Sequence, residues 1–105
     1  MTSELNQLKL KVIWLPNLLG ISVDQILINS SAFSRALTTY YFWPKVEVWE
    51  QLKTELDTLG WLSEKEKVKI LNRISDLLNY WQLNRNVKLL EAVKKELVDI
   101  SFVEL

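Results

Sequence analysis

The sequence predicts an α+β fold: a small antiparallel sheet of about three strands, followed by three helices packed on one side of it. Two observations carry this expectation. Up to Trp43 the chain has runs in which apolar residues alternate with polar ones, as in half-buried strands. After Pro44 they recur every three or four residues, the spacing of a helix stripe. The size agrees: 105 residues, 49% hydrophobic and 25% charged, make one globular domain spanning 1–105.

Residues 1–7 are polar and expected to fray. From there Leu8, Leu10, Val12 and Trp14 point one way while Lys9 and Lys11 point the other, a strand that Pro16 brings to an end. Pro16 to Gly20 reads as a turn, with Gly20 free to take positive φ. Ile21, Val23 and Ile26 to Ile28 read as the returning strand, with Asp24 and Gln25 bonding backbone at an irregularity in it. Asn29 to Ser34 is a polar loop carrying Phe33. Leu37 to Trp43, rich in threonine and aromatic residues, is the third strand. Its run Tyr40-Tyr41-Phe42-Trp43 cannot face one side only, so both sides must be covered.

Pro44 suits the first position of a helix, where its missing N–H is not needed. Val48, Trp49, Leu52, Leu56 and Leu59 form the stripe of that helix, and Gly60 is its expected left-handed cap. Ser63 and Glu66 make a capping box for the second helix, whose apolar face runs from Ile70 through Leu71, Ile74, Leu77 and Leu78 to Trp81. Asn84 or Asn86 caps a third helix along Leu90, Val93, Leu97 and Ile100, and Ser101 to Leu105 is a short tail.

Composition narrows the function. With no cysteine and no histidine there is no disulfide, no thiolate nucleophile and no common zinc or haem ligand. The only glycines, Gly20 and Gly60, make no phosphate loop, and no loop clusters carboxylates for a metal. Asp24 is the one acid in apolar surroundings. The chain is therefore expected to be no enzyme, to use no cofactor and to bind no small-molecule substrate. Its longest early apolar run, Val12 to Leu15, is too short for a signal or a membrane span, so a mature or never-imported soluble chain is expected.

Thirteen basic residues balance thirteen acidic ones, so any contact with nucleic acid has to be a local patch. The best basic stripe is Lys65, Lys69 and Arg73, one helical turn apart. Lys9, Lys11, Arg35, Lys45 and Arg85 complete the RNA-contacting candidates by charge and expected exposure. Of the five tryptophans, Trp14, Trp49 and Trp81 read as core. Trp43 and Trp61 flank the first helix and are the candidates for contact with a partner, by filling a protein pocket or stacking on a base.

Four segments together, Tyr40-Tyr41-Phe42-Trp43-Pro44, Trp49-Glu50-Gln51-Leu52-Lys53, Trp61-Leu62-Ser63-Glu64-Lys65 and Asn79-Tyr80-Trp81-Gln82, resemble the plastid-specific ribosomal protein 3 or Ycf65 family. The likeness extends over residues 8–82, with Trp14-Leu15 and Asp24-Gln25 in the opening hairpin; residues 83–105 form a helical extension beyond it. Ile21-Ser22-Val23, Ala36 and Val46-Glu47-Val48 depart from the family's pattern. The resemblance implies a structural constituent of the small (30S) ribosomal subunit, contacting ribosomal RNA and neighbouring ribosomal proteins. It implies a place on ribosomes of the plastid (chloroplast) stroma or the cyanobacterial cytoplasm. The alternative is a non-ribosomal module that docks a protein through the aromatic strand-to-helix corner.

Overall fold

The computed structural model describes residues 6–27, 33–84 and 90–103. Its elements in chain order are β1 (Asn6–Trp14), β2 (Leu19–Leu27), β3 (Phe33–Ala36), β4 (Tyr41–Trp43), α1 (Val48–Asp57), α2 (Glu64–Asn84), α3 (Leu90–Glu96) and β5 (Ser101–Phe102). The expected α+β class holds, but among the described residues the sheet has five strands, and their directions are mixed.

β1 and β2 form the antiparallel hairpin, with Leu10 opposite Val23 and Val12 opposite Ile21. Alternation therefore puts Leu10, Val12, Leu19, Ile21 and Val23 on one face, all of them buried. Lys9, Lys11, Ile13, Ser22 and Asp24 take the other face. Gly20 lies inside β2 and has no positive φ. It is needed for space: a Cβ there would stand 2.6 Å from Cε1 of Phe42, whose ring sits over it.

Of the expected third strand, Leu37 to Trp43, only Tyr41–Trp43 is strand; β3 precedes it, at Phe33–Ala36. β2 pairs with β3 through Asp24 to Leu27, and with β4 through Leu19 to Ile21. Between them Leu37 to Tyr40 leave the ladder, two residues more than the stretch of β2 they pass. The Thr38 hydroxyl accepts the Val23 N–H at 3.0 Å, while the Leu37 N–H donates to the Val23 carbonyl at 2.9 Å. One side-chain oxygen thus replaces the missing ladder partner, which propensity for extended structure does not register. Phe33 and Ser34, expected in a loop, belong to β3. Asp24 and Gln25 interrupt nothing, because β2 runs through them. Ile28, the rest of that loop and Asn86 lie outside the described residues, as do the first five positions; Asn6 and Gln7 already belong to β1.

The four aromatics divide as alternation demands. Tyr41 and Trp43 pack against the core, opposite Ile21 and Leu19. Tyr40 and Phe42 stack on each other, ring centroids 6.4 Å apart and planes 29° inclined. Pro44 does not open the helix. It follows a cis Trp43–Pro44 bond in a turn closed by Val46 N–H to the Phe42 carbonyl at 3.1 Å, and α1 starts at Val48. α1 buries Val48, Leu52 and Leu56, and ends on Thr58 in right-handed helical geometry, so Gly60 is not its left-handed cap. Ser63 Oγ accepts the Glu66 N–H at 3.1 Å, the serine half of the expected capping box.

α2 buries Ile70, Leu71, Ile74, Leu77 and Trp81. The Trp81 indole N–H donates to the Leu15 carbonyl at 2.9 Å, and that of Trp49 to the Leu71 carbonyl at 3.1 Å. α3 stops at Glu96, and Leu97 and Ile100 are buried beyond it. Asn84 does not cap it, being the last residue of α2. The expected tail returns to the sheet: β5 lies parallel to β1, Phe102 opposite Val12, with Val103 N–H on the Val12 carbonyl at 2.8 Å. Phe102 also meets the Trp14 ring, centroids 6.3 Å apart.

Two outcomes follow for stability, each measured by urea unfolding. Deleting residues 97–105 removes the buried Leu97 and Ile100 and lowers stability by roughly 3–6 kcal/mol, at about 1.5–3 kcal/mol per side chain. Gly20→Ala costs roughly 1–3 kcal/mol through overpacking against Phe42, and most of that loss disappears when Phe42→Ala is present too.

Candidate nucleic-acid interface

The described basic candidates are spread over α2, the sheet and the turn after β4. α2 presents Lys65 and Lys69, both exposed, on the side away from its buried face. Its third expected member, Arg73, is half-buried and engaged: Nε and Nη2 donate to the two carboxylate oxygens of Asp99 at 2.7 and 2.6 Å. A bidentate pair of this kind fixes both side chains. The Arg73 guanidinium holds the Asp99 carboxyl below the usual carboxylate range, with Lys9 adding to the effect. Asp76 also lies 3.8 Å from Arg73.

The face of the sheet opposite the core carries Lys9 and Lys11. Lys11 Nζ stands 3.3 Å from Asp24, which is 6% exposed. The one acid in apolar surroundings is thus half of a cross-strand ion pair, and its Oδ1 is buried with no hydrogen-bond partner among the described residues. Arg35, exposed on β3, donates from Nε to Gln25 Oε1 at 2.9 Å, so the buried Gln25 bonds a neighbouring strand's side chain. Lys45 is exposed in the turn after β4, and Arg85 lies outside the described residues.

The two tryptophan candidates differ. Trp43 is half-buried against the core. Trp61, in the turn before α2, is 49% exposed and lies outside the core cluster. Lys67, which the sequence did not single out, takes up the acids beside it: its Nζ is 2.9 Å from Asp57 and 3.4 Å from Glu64. Lys67 and then Lys53 hold the Asp57 carboxyl below its ordinary range. The step of three from Glu64 to Lys67 and the step of four from Lys53 to Asp57 are helix pairs, whereas Asp57 reaches Lys67 and Asp99 reaches Arg73 through the fold, with no local signal.

No group of three or more metal-ligating side chains occurs among the described residues, and no helix there is long and apolar enough to cross a membrane. Among the described residues the surface offers charge and one exposed ring, Trp61. Comparison with known proteins gives that surface its context. The sequence model of the plastid and cyanobacterial ribosomal protein family PSRP-3/Ycf65 matches residues 37–84. A protein of Cyanidium caldarium named small ribosomal subunit protein cS23 is 48% identical over 81 residues, 77% of each chain. The chain belongs to the PSRP-3/Ycf65 family. A Synechococcus protein named "Probable small ribosomal subunit protein cS23" is 47% identical over 73 residues, 70% of this chain and 71% of its own. The barley (Hordeum vulgare) cS23 is 39% identical over 75 residues, 71% of this chain but 40% of its own longer length.

The Arg73–Asp99 pair has a pH signature. Because the folded Asp99 carboxyl sits below its unfolded value, its contribution is present above about pH 4 and fades as the pH falls through the lower folded value. Asp99→Asn therefore loses up to about 1 kcal/mol near neutral pH, as for a partly exposed pair. The gap to the wild type narrows as the pH falls below about 4, in urea unfolding followed across an acid series.

Proposed function

We propose that the chain is a structural constituent of the small (30S) ribosomal subunit in plastid or cyanobacterial translation, held there by ribosomal RNA and neighbouring ribosomal proteins. One observation carries the reading: relatives named small ribosomal subunit protein cS23 match it at 47–48% identity over 70% or more of both chains. It is a non-catalytic role. The Cyanidium caldarium and Synechococcus relatives are equally near, so the reading covers the plastid stroma and the cyanobacterial cytoplasm alike.

The RNA contact is assigned to four of the sequence candidates that meet no carboxylate among the described residues: Lys65 and Lys69 first, with Lys45 and Arg35. Lys9, Lys11 and Arg73 stand beside Asp99 or Asp24 and bring less uncompensated charge to a phosphate. For the protein contact, the sheet face opposite the core supports a further site. Its Ile13, Ile26, Tyr40 and Phe42 lie outside the core cluster, and apolar side chains there have area left to bury. Trp43 keeps only the part of its ring that the core leaves open.

Sedimentation tests this. A tagged chain expressed in a cyanobacterium or a plastid is expected in the small-subunit fraction after a moderate-salt wash. Lys65→Glu/Lys69→Glu should leave that fraction at lower salt than the wild type, because phosphate contacts weaken with ionic strength. A wild-type chain found only among free proteins would sink the ribosomal assignment.

A further inference from the structure

The turn into α2 joins an exposed aromatic ring to uncompensated positive charge. Trp61 is 49% exposed, packs outside the core cluster and enters none of the ring pairs. Lys65 and Lys69 follow at steps of four, both exposed. Four residues, just over one helical turn, separate the two lysines, about 6 Å along the axis. The nearby acids are largely spent: Asp57 and Glu64 both face Lys67, and Asp57 also faces Lys53 at 2.9 Å. Glu66, on the neighbouring flank of the first turn, is the remaining acid there without an ion pair among the described residues. Two free cations against one free acid leave this end of the helix positive on a chain whose net charge is zero.

We propose that Trp61, Lys65 and Lys69 form one site for unpaired RNA, in which an unstacked base lies on the Trp61 ring and the adjoining phosphates meet the two lysines. The proposal rests on the ribosomal reading above and names the nucleic-acid class that its α2 contact takes. Aromatic faces stack on any base without sequence preference, and lysines on a regular spacing follow a backbone. A protein partner fits the same stretch poorly. Val68 is the one exposed apolar neighbour in the first turns of α2, and lysine is depleted in the cores of protein interfaces. At the far end the stripe closes, since Arg73 is held by Asp99.

The test uses the full chain, short single-stranded RNA oligomers of mixed sequence and duplexes of the same length, with affinity read by fluorescence anisotropy over a salt series. Trp61→Ala is expected to weaken single-strand binding roughly tenfold or more, the loss typical of one stacked base, and to leave duplex binding nearly unchanged. Trp61→Phe should keep most of the affinity. Lys65→Gln/Lys69→Gln should flatten the log–log salt slope by about 0.7 per lysine. Because Trp61 lies outside the core, the thermal melt of each variant should match the wild type, which separates lost contact from lost fold. Wild-type affinity in Trp61→Ala overturns the site, and so does an equal loss on single strand and duplex. A third overturning result is a Trp61→Ala chain that keeps its RNA affinity but no longer binds a purified neighbouring ribosomal protein. Any of these, with the wild type still sedimenting with the small subunit, removes the stacking site and leaves the ribosomal assignment standing.

Discussion

The fold depends on covering one face of a two-stranded hairpin along its whole length. Leu10, Val12, Leu19, Ile21 and Val23 present an unbroken apolar surface, and two strands alone do not hold such a surface out of water. α2 covers much of it and is itself pinned at Trp81, which is 1% exposed and bonded through its indole N–H to the Leu15 carbonyl just past β1. That single donor ties the far end of a 21-residue helix to the hairpin turn. α1 is fastened by the Trp49 indole on the Leu71 carbonyl and by the Tyr41 hydroxyl on the Glu55 carboxylate, beside the ion pair of Asp57 with Lys67. The phenol consequently titrates above its ordinary value, because ionising it would break the bond to Glu55.

The helix stripes and the hairpin were legible because their signals are local. Val48, Leu52 and Leu56 recur at helix spacing, and each is buried. Leu10 and Val12 alternate with Lys9 and Lys11, and the register places them as the alternation says. What escaped was whatever depends on a distant partner. Thr38 breaks the third strand because its hydroxyl meets Val23, and nothing in residues 37–43 announces that. β5 is two residues long, too short for a period, and exists because β1 has an edge to pair with. Gly20 read as a turn glycine, whereas its reason is a ring brought over it from β4.

The candidate site was legible in residue type and only partly in arrangement. Lys65, Lys69 and Arg73 are equally spaced, so the pattern treats them alike; the fold separates them by giving Arg73 a carboxylate from a segment after α3. Trp43 and Trp61 flank the same helix in sequence, yet one is drawn against the core by its register with Leu19 and the other is left outside. Family likeness supplied the setting in which such a surface has a use. The charges alone did not, for a chain with thirteen acids and thirteen bases.

The pairing of β5 with β1 has a consequence in time. Synthesis runs from the amino terminus, so β1 is made early, and its parallel neighbour at Ser101 and Phe102 follows only after all three helices. Until then the edge of β1 near Lys11 and Val12 has no described partner, and Trp14 lacks the Phe102 ring. Contacts this far apart along the chain form slowly. The sheet therefore closes last at the strand it began with, and a nascent chain stalled before residue 101 presents an open edge to whatever is nearby.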